Sequence, residues 1–233
     1  MRVRLLIWLA VPALFLAGCG GSSKKTSAPA SNGVAKKSAT DILAAAKSAA
    51  DSATSVHVSG SGTDSTGVPL VVNLHIVAGK GGKGRLSEKG LSFDLVRVGP
   101  SAYIKGSAAF YRKFAGPGAA QLLKDKWLKG PATTGDLASL TPLTDLRKLI
   151  DQTLTNHGTL AKTATTTVHG QQVVGVKDTT KGGILYVATV GKPYPVEITK
   201  GGANKGTLLF DQWNQPVALA APPNAVDISK LKG

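Results

Sequence analysis

On either side of one central interruption, residues 56–220 consist of short segments that alternate apolar and polar side chains and are divided by tight turns. Alternation of period two puts every second side chain on one face of a strand, and turns of two or three residues make neighbouring strands pair antiparallel. The first such segment is 56–60. The next, 68–78, carries Leu70, Val72, Leu74 and Ile76 on one face, and 79–84 reads as a Gly/Lys turn. Strands at 85–88 and 91–98 join at Lys89-Gly90. In the second, Leu91, Phe93 and Leu95 share a face and Val96 and Val98 take the opposite parity, which signals a bulge or a bend. A hairpin is predicted between 102–105 and 110–114 through Gly106-Ser107. Past the interruption, 159–168 and 171–178 flank His169-Gly170, 184–190 and 194–199 flank Gly191-Lys192-Pro193, and 206–213 and 217–220 flank Asn214-Gln215-Pro216. About ten or eleven strands in one sheet curl rather than lie flat.

Helical spacing is confined to a few places. Ser38 is a capping residue with Asp41 three positions on, and Ile42, Ala45, Ala46, Ala49, Ala50 and Ala53 form a narrow face of small residues. Residues 118–126 read as a short helix or turn and 136–140 as another short piece. Thr141-Pro142 gives a start signal, Leu143, Leu146, Leu149, Ile150 and Leu154 an apolar stripe, and Asn156-His157-Gly158 a stop. The expected fold is α+β: a strongly curved antiparallel sheet, a half β-barrel, with the helices at 39–53 and 142–155 packed on its concave face. Whether the space between is filled or forms a cavity is left open by the pattern.

The amino terminus is an address. Arg2 and Arg4 precede an apolar run over 5–16, and Leu16-Ala17-Gly18-Cys19 follows. The run is short for a spanning helix and has the form of a signal peptide. The Leu-Ala-Gly-Cys ending resembles the bacterial lipobox, in which the cysteine receives a lipid and the signal is cut just before it. Cys19 is the only cysteine, as expected for a modification site in an exported chain that forms no disulfide. The alternative is an ordinary secretory signal with a chance cysteine. Residues 1–18 are thus expected to be a lipoprotein signal peptide, 19–37 a lipidated flexible tether of Gly, Ser, Lys, Pro, Thr and Ala, and 38–233 one folded domain. The lysines of the tether either meet anionic headgroups or only keep it soluble. The expected location is the extracellular face of the cytoplasmic membrane, held by the lipid.

Charge and chemistry narrow the function. The formal net charge of +15 becomes +13 once Arg2 and Arg4 leave with the signal. Export and the scarcity of aromatic residues argue against a nucleic-acid partner. Lys80, Lys83, Arg85, Lys181, Lys192, Lys200 and Lys205 lie near turns, either gathered at one rim or spread over a basic surface. His57, His75, His157 and His169 are scattered without metal-ligand spacing, there is no Gly-x-Ser-x-Gly elbow, and the acidic residues form no paired-carboxylate pattern. The glycines at 79–84 lack the Gly-Lys-Ser/Thr ending of a phosphate loop. No enzyme, metal or cofactor is expected.

Several segments together resemble a known family. They are Gly183-Ile184-Leu185-Tyr186-Val187, Lys192-Pro193-Tyr194-Pro195-Val196-Glu197-Ile198, Phe210-Asp211-Gln212-Trp213-Asn214-Gln215-Pro216-Val217 and Ala221-Pro222-Pro223, with Ala102-Tyr103-Ile104-Lys105 ahead of Trp127-Leu128-Lys129. In these, and in the lipobox and tether, the chain is similar to the actinobacterial LppX/LprA/LprF/LprG lipoproteins, relatives of the LolA/LolB carriers. The resemblance implies a half-open barrel that holds acylated lipid or lipoglycan between sheet and helices and helps to move it through the envelope. The inward apolar set is Leu70, Val72, Leu74, Ile76, Phe93, Leu95, Tyr186, Val196, Ile198, Leu208 and Phe210, core positions first. The first seven of these, with Val196 and Ile198, are the candidate cavity lining. The expected partners are the membrane and such a lipid, with an envelope transporter possible, around a monomer. The alternative function is a scaffolding or partner-binding lipoprotein with a filled core.

Overall fold

The computed structural model describes residues 30–63, 67–135, 137–202 and 205–228. Cys19, the signal segment and most of the tether lie outside these residues. Twelve strands form a single sheet in the order β12-β6-β5-β4-β3-β2-β1-β11-β10-β9-β8-β7. They are β1 Ser55–Thr63, β2 Pro69–Val77, β3 Gly81–Glu88, β4 Leu91–Val98, β5 Ser101–Gly106, β6 Leu128–Pro131, β7 Leu160–Val168, β8 Gln171–Asp178, β9 Ile184–Ala188, β10 Pro195–Lys200, β11 Gly206–Asp211 and β12 Val226–Asp227. All pairs are antiparallel except the short parallel contact of β12 with β6. The sheet stays open, with β7 and β12 at its edges, so the architecture is the α+β half-barrel that the alternation predicts.

Among the described residues three α-helices accompany it: α1 Ala39–Asp51, α2 Ala108–Leu123 and α3 Leu146–Leu154. Helix α1 starts where its cap demands, with Ser38 Oγ accepting from the Asp41 N–H. Its small face lets it sit close, and Ile42, Ala46, Ala49 and Ala50 are buried with Leu146, Ile150 and Leu154 of α3. Lys47 Nζ bridges Asp51 and Asp151, each at 2.7 Å, and ties the two helices together. Beneath them lie Val56, Val58, Leu74, Ile76, Leu95, Val174, Val187 and Phe210. Ile42, Ile76 and Ile150 are 0% exposed, so the centre of the concave face is filled by the protein's own side chains.

The structure differs from the sequence reading in six places, each for a local reason. Residues 110–114 belong to α2, because Ser107 Oγ accepts from the Phe110 N–H and caps a helix where a hairpin was expected. Glycines 81, 82 and 84 are inside β3 and not in a turn. Gly82 and Gly84 face inward, and a Cβ on Gly82 would lie 2.9 Å from the His75 carbonyl oxygen and 3.4 Å from Thr144. Thr141-Pro142 opens no α-helix. It lies within a 3-10 turn, Ala138–Thr144, and Asp145 caps α3, its carboxylate accepting from the Lys148 N–H.

Strand β4 is unbroken in register with both neighbours. Val96 and Val98 simply face outward, and Val96 lies near Trp127. Residues 217–220 form no strand. Asn214, at φ 61°, turns the chain across the start of β1 instead, its side chain accepting from the Thr54 N–H and its own N–H donating to the Ser55 carbonyl. Last, residues 31–37, expected in the tether, are packed on the sheet. Ser31 bridges Val190, Asn32 Nδ2 donates to the carbonyls of Ala188 and Gly191, and Val34 is buried, so residues 31–37 are part of the domain.

Candidate functional site

The filled centre directs attention to the part of the concave face over β1, β2, β10 and β11 whose lining includes no helix residue. Reading across the sheet, the inward positions run Val72, Gly60, Leu208, Ile198, and one step nearer the end Leu70, Gly62, Gly206, Lys200. Gly60, Gly62 and Gly206 contribute no side chain in the middle of both rows. Backbones close in there: a Cβ on Gly62 would come 3.0 Å from the Lys205 carbonyl oxygen, and one on Gly206 2.8 Å from Gly62 Cα. The result is a trough of about 240 Å³ walled by Leu70, Val72, Ile198 and Leu208, all partly buried, with Lys200 and Lys205 at its mouth.

A second hollow of about 200 Å³ shares Ile198 and Lys200 with the first. It runs between Leu43 of α1, Leu154 of α3 and the strand residues Val176 and Leu185. Its rim is polar. The Asp178 carboxylate accepts from the N–H groups of Lys181 (2.7 Å), Gly158 (2.8 Å) and Thr180 (2.9 Å). These bonds, the one from Lys181 first, hold its pKa below the usual carboxylate value. They also fix the turn that carries Lys181, whose ammonium reaches Asn156.

The candidate lining residues separate into four groups. Leu70, Val72 and Ile198 meet in the trough, with Leu208 beside them. Leu74, Ile76 and Leu95 are core, sealed under the helices. Phe93 packs on Phe110 of α2, ring centroids 5.0 Å apart. Tyr186 and Val196 do not line the concave face at all. Tyr186 alternates with the inward Leu185 and Val187 on β9, a bulge between Pro195 and Glu197 turns Val196 away, and both residues join Val173, Ala188 and Val168 in a separate cluster. The cations gather only in part: Lys200 and Lys205 flank the trough and Lys181 the second hollow, whereas Lys83 and Arg85 lie on the outer face.

The histidines make no metal site. His57 stacks on His75 at 4.4 Å on the outer face and its Nδ1 contacts Asp211 at 2.6 Å, while His169 contacts Glu197. Burial, then His57 and Lys83, lower the pKa of His75. Among the described residues, no three His, Cys, Asp or Glu side chains converge as metal ligands, and no helix is long and apolar enough to cross a membrane. The residues that sequence reasoning missed are Gly60 and Gly62. Glycine inside an alternating strand was the available signal, since it marks close backbone approach.

No family model matches the sequence, and no curated protein does. Solved structures do match. LprF from Mycobacterium bovis superposes with a TM-score of 0.56 at 14% identity, over 79% of this chain and 96% of that one. The Mycobacterium tuberculosis lipoprotein LppX gives a TM-score of 0.50 at 18% identity, over 78% and 99%.

Proposed function

We propose, starting from a chain with the fold of LprF and LppX, that this is an envelope lipoprotein whose domain holds an acyl tail in the trough along Leu70, Val72, Ile198 and Leu208. The observation that carries the reading is the pairing of an uncovered apolar trough with the exposed Lys200 and Lys205 at its mouth. Each methylene laid along such a wall gains roughly 0.8 kcal/mol, so a tail of about eight gains roughly 6 kcal/mol before ordering costs. The headgroup stays at the wet rim beside the two lysines. A volume of about 240 Å³ is less than the roughly 300–1,000 Å³ of sites that enclose drug-sized ligands. That volume suits one tail lying in the trough itself. Shielding and handing on a lipid in the envelope, from an anchor at Cys19, follows from that capacity. No step of it needs a catalytic group.

Native mass spectrometry of the whole protein is the test. The expected result is one amphiphile per chain, lost in Val72→Glu and in Leu208→Glu while folding is kept. Apolar-free spectra, or ligand retained in both variants, would overturn it.

A second reading rests on the filled centre. With Ile42, Ile76 and Ile150 fully buried, the helices close on the sheet with no ligand between them, which suits a scaffold that recruits an envelope protein. Crosslinking in cells to a protein partner, unchanged by Val72→Glu, favours it.

A further inference from the structure

The strand register divides the ends of the sheet sharply. At one end lie Gly62–Thr63, Pro69–Leu70, the β3–β4 turn at Lys89-Gly90, the start of α2 after Gly106, Lys181, Lys200 and the start of β11. At the other lie the Ser31 bridge to Val190, the turn between Val77 and Gly81, and the turn between Val98 and Ser101. The trough opens at the first end, and the chain leaves toward its amino terminus from the second.

That first end is basic and carries an unpaired apolar point. Lys89, Arg112, Lys113, Lys124, Lys126, Lys181, Lys200 and Lys205 are all exposed there, and none forms an ion pair among the described residues. Among the described residues, the exposed acids on the same segments are Glu88 and Asp125. Helix α2 breaks at Gly116, where φ is 82° and Pro117 follows, and its second part presents Leu122 at 70% exposure, the most exposed large apolar residue described. A lone exposed leucine is ordinary. One followed by the exposed Lys124 and Lys126, on the outer side of a helix that also exposes Arg112 and Lys113 while burying Phe110, Tyr111 and Ala120, is the pattern of an element that rests in a lipid headgroup layer.

We infer that this end of the domain, α2 foremost, docks on an anionic bilayer surface, with Leu122 entering the headgroup layer and Arg112, Lys113, Lys124 and Lys126 meeting lipid phosphates. The anchor permits it. The 12 residues from Cys19 to Ser31 reach at most about 40 Å when extended. A nine-residue strand such as β2 is about 30 Å long. A lipid at Cys19 therefore lets the far end of the sheet fold back onto the membrane. Docked this way, the trough mouth lies against the bilayer. The inference stands on exposure and charge alone and does not need the trough to hold a lipid.

The test places a single environment-sensitive fluorophore at Leu122→Cys in the whole chain, reconstituted in vesicles that contain quencher-bearing lipids. The unsubstituted chain, taken through the same labelling, corrects for Cys19, and Thr166→Cys on β7 is the exposed control. The expected result is quenching at 122 and not at 166 in vesicles of phosphatidylcholine with phosphatidylglycerol. Little is expected in phosphatidylcholine alone. Each cation lost from an anionic surface weakens binding roughly fivefold, so Arg112→Glu with Lys113→Glu weakens it at least tenfold, as high salt does. All these positions are exposed, and circular dichroism verifies the fold. Equal quenching at 122 and 166, or quenching at 122 indifferent to lipid charge, overturns the inference. Loss of docking with groove-bound lipid retained separates its failure from that of the lipid-holding reading.

Discussion

Replacing Tyr111 by Phe removes one oxygen atom and tests how α2 is held at its base. The ring is 1% exposed. Its hydroxyl accepts from the Gly106 N–H at 3.0 Å and donates to the Lys126 carbonyl at 3.0 Å, which closes the excursion between β5 and β6. Burial raises the phenol pKa, so the hydroxyl stays protonated and remains a donor at neutral pH. Phe keeps the packing on Phe110 and opens no cavity of note. The Lys126 carbonyl belongs to an exposed residue that water can reach, whereas Gly106 is buried. The cost is therefore that of one stranded buried donor, about 1–3 kcal/mol. Urea denaturation followed by circular dichroism reads the total, and amide exchange over 106–126 reads its location. The expected outcome is a lower midpoint at unchanged slope, with faster exchange concentrated in that segment. An unchanged midpoint, or a loss of protection spread evenly over the sheet, would refute the reasoning.

Three further outcomes follow from the same geometry. Gly84→Ala puts a Cβ 2.0 Å from the Asn73 carbonyl oxygen and 2.8 Å from Leu74 Cα, so β2 and β3 must separate. Its thermal midpoint should fall well below that of an exposed control such as Thr166→Ala. His75 has its pKa lowered in the fold, so the unfolded chain binds more protons below the ordinary value of 6.5. Its contribution is complete above that value and is lost as pH falls through the depressed folded value, and His75→Gln should flatten that part of a stability–pH curve. Cys19→Ala should release the protein from the membrane fraction or leave the signal uncut, as fractionation with a mass measurement shows. A processed and membrane-retained variant contradicts the anchor.

Much of the fold was legible because alternation is a strong signal where one face is buried. The pattern 68–78 gave β2 and its inward set, and His169-Gly170 gave the β7–β8 hairpin, with both residues at positive φ. Small residues hid the rest. Gly81-Gly82-Lys83-Gly84 has turn composition but strand geometry, because Thr144 lies over Gly82 and the neighbouring strands' carbonyls at Arg97 and Asn73 leave no room for a Cβ on Gly81 and Gly84. Residues 110–114 follow the turn-like Gly106-Ser107 and read as a hairpin's second strand, yet the cap at Ser107 and the burial of Phe110 and Tyr111 make them helical. The site was half readable. Leu70, Val72 and Ile198 were identified from parity. Tyr186 was misplaced because β9 is apolar at every position, so its pattern does not say which alternate set faces inward, and Val196 because a bulge at Pro195–Glu197 moves it to the other face without a mark in residue spacing. The trough itself comes from Gly60 and Gly62, residues whose contribution is an absence of side chain.

Photo-crosslinking tests the central claim most directly. A single-chain lipid with a diazirine along its tail, bound to the whole protein, irradiated and mapped by peptide mass spectrometry, reports where the tail lies. Adducts are predicted on peptides containing Leu70, Val72, Ile198 and Leu208, and their yield should fall in Leu208→Glu. Adducts centred on Ala46 or Ile150 under the helices, or none above background, would contradict it.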